Sequence, residues 1–234
     1  MPTPSPRSLP FWLRSATLPW AGALLAALLV LAGIAFVRYE RLEMEEDAQD
    51  RAQLYARVLE DHASRTVASA DLGLQSLAQA LDQGGEASPL LRAAVQGQPF
   101  LRSISLVDAR GRVEASSNPG NVGVEVDLSR WRIHRSGLGT ALPGRDLGPI
   151  ARGERAASGV AVMPLTRPLA HGAQLVALFN LDFFANQHTL VLGEAPFDAA
   201  LLADDGTLLS ATERLQAEVG SLQAALPVFA EQLP

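Results

Sequence analysis

The feature that most constrains this chain is an unbroken apolar run, Leu18 to Val37 (LPWAGALLAALLVLAGIAFV), set between Arg14 and Arg38 with no charge in between. At about 1.5 Å per residue it reaches roughly 30 Å, the depth of a bilayer's hydrocarbon layer. A soluble core helix of this length would carry a polar stripe, and this run has none. A cleaved secretory signal has an apolar region of only about 7 to 15 residues and a small-x-small cleavage site. Here Arg38-Tyr39-Glu40-Arg41 follows instead. The run therefore reads as an uncleaved signal anchor over 18–37, preceded by a tail, 1–17, that carries Arg7 and Arg14 and no acid. Arg38 and Arg41 on the far flank balance those two arginines, so orientation rests on the short export-like tail. That puts the N-terminus in the cytoplasm and everything after Arg38 outside. Trp12, Trp20 and Tyr39 stand near the two ends, as interfacial aromatics do.

Composition then removes whole classes of function. Nineteen basic residues against 25 acidic ones give a net charge of −6, which leaves no basic excess for nucleic-acid phosphates. Every basic residue is arginine, so P-loop, Schiff-base and Ser-Lys chemistry have no lysine to use. Without cysteine there is no thiolate nucleophile, no cysteine-ligated cluster or zinc, and no disulfide. The four histidines, His62, His134, His171 and His188, are scattered and form no HExxH pair, so no metal or other cofactor is expected. No Gly-x-Ser-x-Gly elbow, dinucleotide loop or Walker motif occurs, and no catalytic residue is assigned.

Past the anchor, Arg38 to Gln83 has no proline and one glycine, Gly73, and is rich in helix formers. Tyr55, Leu59, Ala63, Val67, Ala70, Leu74, Leu77 and Leu81 recur at steps of three and four. Gly84-Gly85 supplies a stop. The pattern predicts a stalk helix over 38–84, continuous with the anchor, whose distal half packs on a sheet. A short helix at Pro89 to Val95 is followed by strand-like texture: a hairpin of Arg102–Asp108 and Arg112–Ser117 turning at Gly111, then strands Gly159–Thr166 and Ala173–Asn180 and a helix from Leu181 to about Leu190. Asp127 to His134 reads as a short helix behind an Asp cap, and the Gly- and Pro-rich stretch Gly137 to Arg155 as a long covering loop. Leu106-Val-Asp-Ala-Arg-Gly111 is echoed by Leu201-Leu-Ala-Asp-Asp-Gly206, roughly 95 residues on, which suggests a second copy of one module, cut short. The fold class is thus α/β of the α+β kind, with an antiparallel PAS-like module over 85–193 and the start of another over 194–234.

This order of anchor, stalk helix (ARVLEDHASRTVASADLGLQSLAQAL), hairpin RSISLVDARGRVEASS, DLSRWRIHR, VMPLTRPL, LVALFNLDFF and second hairpin ALLADDGTLLSAT resembles double-Cache sensor regions. These are tandem PAS-like periplasmic modules of bacterial transmembrane histidine kinases and diguanylate cyclases. The family's Asp-Arg-x-Tyr-Phe-x-x-His segment is matched at Asp127, Trp131 and His134, and departed from at Leu128 and Arg130. The resemblance implies an inner-membrane homodimer with a ligand cavity in the distal module and an output domain elsewhere. The candidate ligand residues are Arg130, Trp131, His134, Arg167 and Asp182. An inward arginine holds a carboxylate by two parallel hydrogen bonds, which makes a small organic anion the favoured ligand. Asp182 either pairs with an arginine or caps the helix after the Ala173–Asn180 strand. The rival is a single-span envelope scaffold that binds a protein partner and no small molecule.

Overall fold

The computed structural model describes residues 11–133, 137–154, 160–203, 206–215, 219 and 221. Helix α1 spans Phe11–Asp82, as the absence of proline after Pro19 and the run of helix formers require. The chain divides after Leu54 into two compact units, Met1–Leu54 and Tyr55–Pro234. In the first, the apolar side chains stand outward: Leu24, Leu28, Leu31 and Phe36 are all more than half exposed. The stretch is long and apolar enough to cross a membrane, with a mean hydropathy of 2.1 in its best window and nothing packed on it.

The second unit begins where the apolar stripe begins. Leu59, Ala63, Ala70, Leu74 and Leu77 are buried, and Leu74 is 1% exposed. Helix α2 (Ala87–Val95) follows, then strands β1 (Leu101–Val107) and β2 (Val113–Ser116), β3 (Leu142–Pro143), helix α3 (Leu147–Ala151), β4 (Ala161–Pro168), β5 (Gln174–Asn180) and helix α4 (Leu181–Leu192). A second hairpin, β6 (Ala200–Leu202) and β7 (Leu208–Ala211), closes the described part. The five strands form one antiparallel sheet in the order β2-β1-β5-β4-β3, with β5 at its centre. Buried on both faces, β5 reads as the near-continuous apolar stretch LVALF, as a central strand must.

Strand alternation sorts the core into two clusters. Leu175, Ala177 and Phe179 of β5, Ala161, Met163 and Leu165 of β4 and Ile104 of β1 face α1, α2 and α4. Val176 and Leu178 face the other way, with Val107, Val113, Val126, Leu147 and Val162, and are covered by Leu128, Trp131, Leu142 and Ile150. The stripe on α1 and the strand pairs were thus readable, and the helix Leu181–Leu192 ends two residues past its expected close.

Two local expectations are corrected. Asp127 to His134 is not one helix: only Leu128–Arg130 forms a 3-10 turn, and Trp131 is already extended. Its indole is drawn to the second cluster and Ile133 bridges Gly139, and both contacts outweigh continuation of the helix. His134 lies outside the described residues. The covering loop is also not structureless, because Pro143 pairs with Ala161 and Asp146 caps α3 through its bond from the Leu147 N–H.

The two hairpins match bond for bond. Asp108 N–H donates to Arg112 O at 2.9 Å, and Ala203 N–H to Thr207 O at 2.9 Å. Ser117 N–H reaches Ile104 O, and Thr212 N–H reaches Ala199 O, each at 2.9 Å. Both ladders shift register at the same step, Leu106/Val107 and Leu201/Leu202. Both turns also place glycine at positive φ, 85° at Gly111 and 81° at Gly206. A Cβ at Gly111 would lie 2.4 Å from Val126 O, a backbone atom of the residue whose N–H donates to Gly111 O at 2.7 Å. Gly111→Ala is therefore expected to cost about 2 kcal/mol or more, read as a shift in the urea unfolding midpoint. A change of a few tenths would mean that the turn relaxes freely.

Candidate functional site

On the sheet face opposite α1, strand alternation aims three serines into a space that apolar residues fill elsewhere. Ser103, Ser105 and Ser116 are each 3% exposed or less. Ser105 and Ser116 stand opposite each other in the β1–β2 ladder and their Oγ atoms lie 2.9 Å apart. Ser103 Oγ donates to Asp146 Oδ1 at 2.8 Å. The same carboxylate accepts Asn121 Nδ2 at 2.5 Å, the Leu147 N–H at 3.0 Å and, on its other oxygen, Asn118 Nδ2. Asn121, 1% exposed, turns its Oδ1 to the Gly148 N–H at 3.3 Å. One acidic group thus answers three side-chain donors and the first N–H of α3 at once. A carboxylate withdrawn even partly from water is stabilised when its lone pairs are satisfied in this way.

Asp146 is therefore the pin that fastens α3 over this face, with Leu147 fully buried beneath it. Sequence reasoning missed it. The signal was local: an aspartate directly before Leu-Gly-Pro, the composition of a capped short helix, inside a stretch otherwise read as loop.

The sequence-derived candidates are spread over several places. Trp131 packs on the second apolar cluster, on the same covered face as the Asp146 network. Arg130 is adjacent in sequence but turns outward, its side chain 83% exposed and paired with Asp127 at 2.9 Å. It lines an open cleft of about 520 Å³ with Asp108, Arg110, Glu125 and Asp127. There the Ser129 hydroxyl, more than any arginine, holds the Asp127 carboxyl below the usual range, and the Arg112 N–H does the same for Asp108. Arg167 shares the α1 face of β4 and is held by Asp71 of α1 at 2.6 Å. Asp182 pairs with Arg102 of β1 at 2.8 Å, and the cap of α4 is Asn180, without a side-chain bond. The alternative in which Asp182 pairs with an arginine is the one seen, though the arginine lies outside the expected cluster. Arg130 and Trp131 are neighbours, and Arg167 and Asp182 each have an acid or base of their own. Among the described residues no group of His, Asp and Glu side chains is arranged to hold a metal ion.

The Arg167–Asp71 pair ties the sheet to α1 at a half-exposed place. Arg167→Met is expected to lower stability by about 1 kcal/mol, and less in high salt. Thermal unfolding at two salt concentrations reads this; a salt-independent loss would assign the effect to packing of the arginine stem instead.

No family model matches the chain, and no curated protein matches it. Several solved structures share its fold, among them the following two. One is the extracellular domain of a protein assigned as a histidine kinase, 22% identical, with a TM-score of 0.55 over 74% of this chain and 73% of that one. The other is an extracellular ligand-binding receptor from Desulfohalobium retbaense, 16% identical, with a TM-score of 0.58 over 75% of this chain and 33% of that one. The chain thus spans about a third of the length of the second. It shares their α+β fold, here an antiparallel sheet packed on the distal part of a long N-terminal helix.

Proposed function

We propose that this chain is the membrane-anchored, extracytoplasmic input region of a signalling protein of the double-Cache kind. In this reading it binds a small ligand on the covered face of the sheet and passes the event through α1 to an output domain outside the sequence. The observation that carries the reading is the sheet itself: one face is occupied by α1, the other is covered by α3, which Asp146 holds in place, together with Leu128, Trp131 and Leu142. Ligand entry on that second face requires α3 to shift, and α1 lies directly behind β4 and β5, so a change of sheet packing reaches the helix that leads to the membrane. The likeness to a kinase's extracellular domain and to a ligand-binding receptor supports the same reading.

In finer terms, residues 85–193 are the ligand-binding module and 194–234 begin a second copy, for which the matched hairpins speak. The favoured ligand is a small organic anion, with Arg130, Trp131 and His134 as the segment that meets it, Arg167 and Asp182 being engaged by Asp71 and Arg102. The chain is placed in a bacterial inner membrane as a homodimer, N-terminus inside and sheet outside. The test is a thermal-midpoint titration of the full chain in lipid nanodiscs against two- to six-carbon carboxylates and amino acids. A saturable rise that Arg130→Ala or Trp131→Ala abolishes supports the reading.

One observation favours the scaffold alternative: Arg130 faces solvent beside an acid rather than the sheet. Midpoints that stay flat across the whole panel, together with a protein partner that Arg130→Ala releases, would establish it.

A further inference from the structure

The contact between α1 and α4 contains a pair of histidines that the proposed ligand site does not use. His188 of α4 is 3% exposed, and its Nδ1 is buried with no hydrogen-bond partner among the described residues. His62 of α1 stacks on Phe183 of α4, ring centroids 6.1 Å apart and planes at 27°, and is close enough for its charge to act on His188. Phe183 in turn meets Phe100 and Phe184, so the histidines border an aromatic cluster on the α1 face of the sheet.

We propose that this histidine pair makes the seat of α4 against α1 an acid-labile joint, so that the grip of the sheet module on its long helix loosens as the surrounding pH falls. An imidazole buried without a partner tolerates the neutral form and resists the charged one, and a second imidazole in reach makes two adjacent charges worse. No described acid stands ready to compensate. On α1, Glu60, Asp61 and Arg65 are exposed, and Asp61 and Arg65 bind each other at 2.8 Å. On α4, Asp182 is held by Arg102. Strand β4 contributes only Arg167, held by Asp71, and β7 carries no ionisable side chain; past α4, Glu194, Asp198 and Glu213 are exposed, and Asp198 accepts from the Thr212 hydroxyl. Burial, and after it the charge of His62, holds the His188 imidazole below its ordinary value of 6.5. The seated form therefore binds protons less readily than the released one. Seating is at full strength above about pH 6.5 and weakens below it, by up to about tenfold per pH unit, until His188 protonates in place.

The experiment is amide hydrogen exchange on the full chain in nanodiscs at pH 7.5 and 5.5, corrected for intrinsic rates. The expected result is that protection over 183–192 falls on the order of tenfold relative to β5, and that His188→Gln and His188→Leu each remove the difference while His62→Gln reduces it. Two histidine replacements guard against one that does not fold. A ratio between α4 and β5 that does not change with pH in the native chain overturns the proposal, as does an equal fall in either folded His188 variant. Neither reading depends on ligand, so this result stands apart from the titration above.

Discussion

Replacing Asp146 with alanine is expected to lower the stability of the sheet module by about 3 kcal/mol and to release α3 from its covered face. The carboxylate answers Ser103, Asn118 and Asn121 and caps the Leu147 N–H, so its loss leaves three inward donors without an acceptor and removes the helix cap together. Hydrogen bonds to a charged acceptor are worth about 1.5 to 3 kcal/mol each, and water reaching the half-buried site returns part of that. Asp146→Asn recovers only a fraction, because one of its two terminal atoms is an NH2 that faces another donor. Urea unfolding of the three proteins measures the order. A loss under about 1 kcal/mol for the alanine variant would mean that solvent replaces the carboxylate and that α3 is not pinned.

Phe179→Ala is expected to cost about 4 kcal/mol, the larger of the two effects. The ring is fully buried on the central strand, between its β1 and β4 partners Leu101 and Met163, with Phe100 at 6.1 Å and Phe184 at 6.3 Å. It joins α2's neighbour Phe100 to α4, so no single element can close over the void. Phe179→Leu keeps more of the volume and is expected to cost less than half as much. A loss below about 1.5 kcal/mol for the alanine variant would show that α4 collapses into the space, and that the aromatic cluster is not a fixed seat.

Much of this architecture was legible in the residues. The stripe from Tyr55 to Leu81 announced the side of α1 that is buried, because a 3.6-residue repeat survives any detail of packing. The turn at Gly111 and its echo at Gly206 were legible because a positive φ in a tight hairpin demands glycine. The covered face was not. Asp127 to His134 carries helix-like spacing, yet the pull of Trp131 into the core and the bridge from Ile133 are long-range contacts that no local window contains. Ser103, Asn118, Asn121 and Asp146 are ordinary polar residues far apart in sequence, and only the pairing of β1 with the loop that folds back over it makes them one network. For the same reason Arg167 looked available until Asp71, on a helix nearly a hundred residues earlier, was seen to hold it.

The central claim is that an event on the covered face reaches α1 through the sheet. Its most direct test is amide hydrogen exchange of the full chain in nanodiscs with and without a saturating carboxylate identified by the midpoint titration. The account predicts raised protection over 142–151, where α3 closes, and a matching change over 59–78 of α1. Protection that changes at α3 while α1 stays unaltered would contradict it, leaving a binding module that does not signal through its long helix.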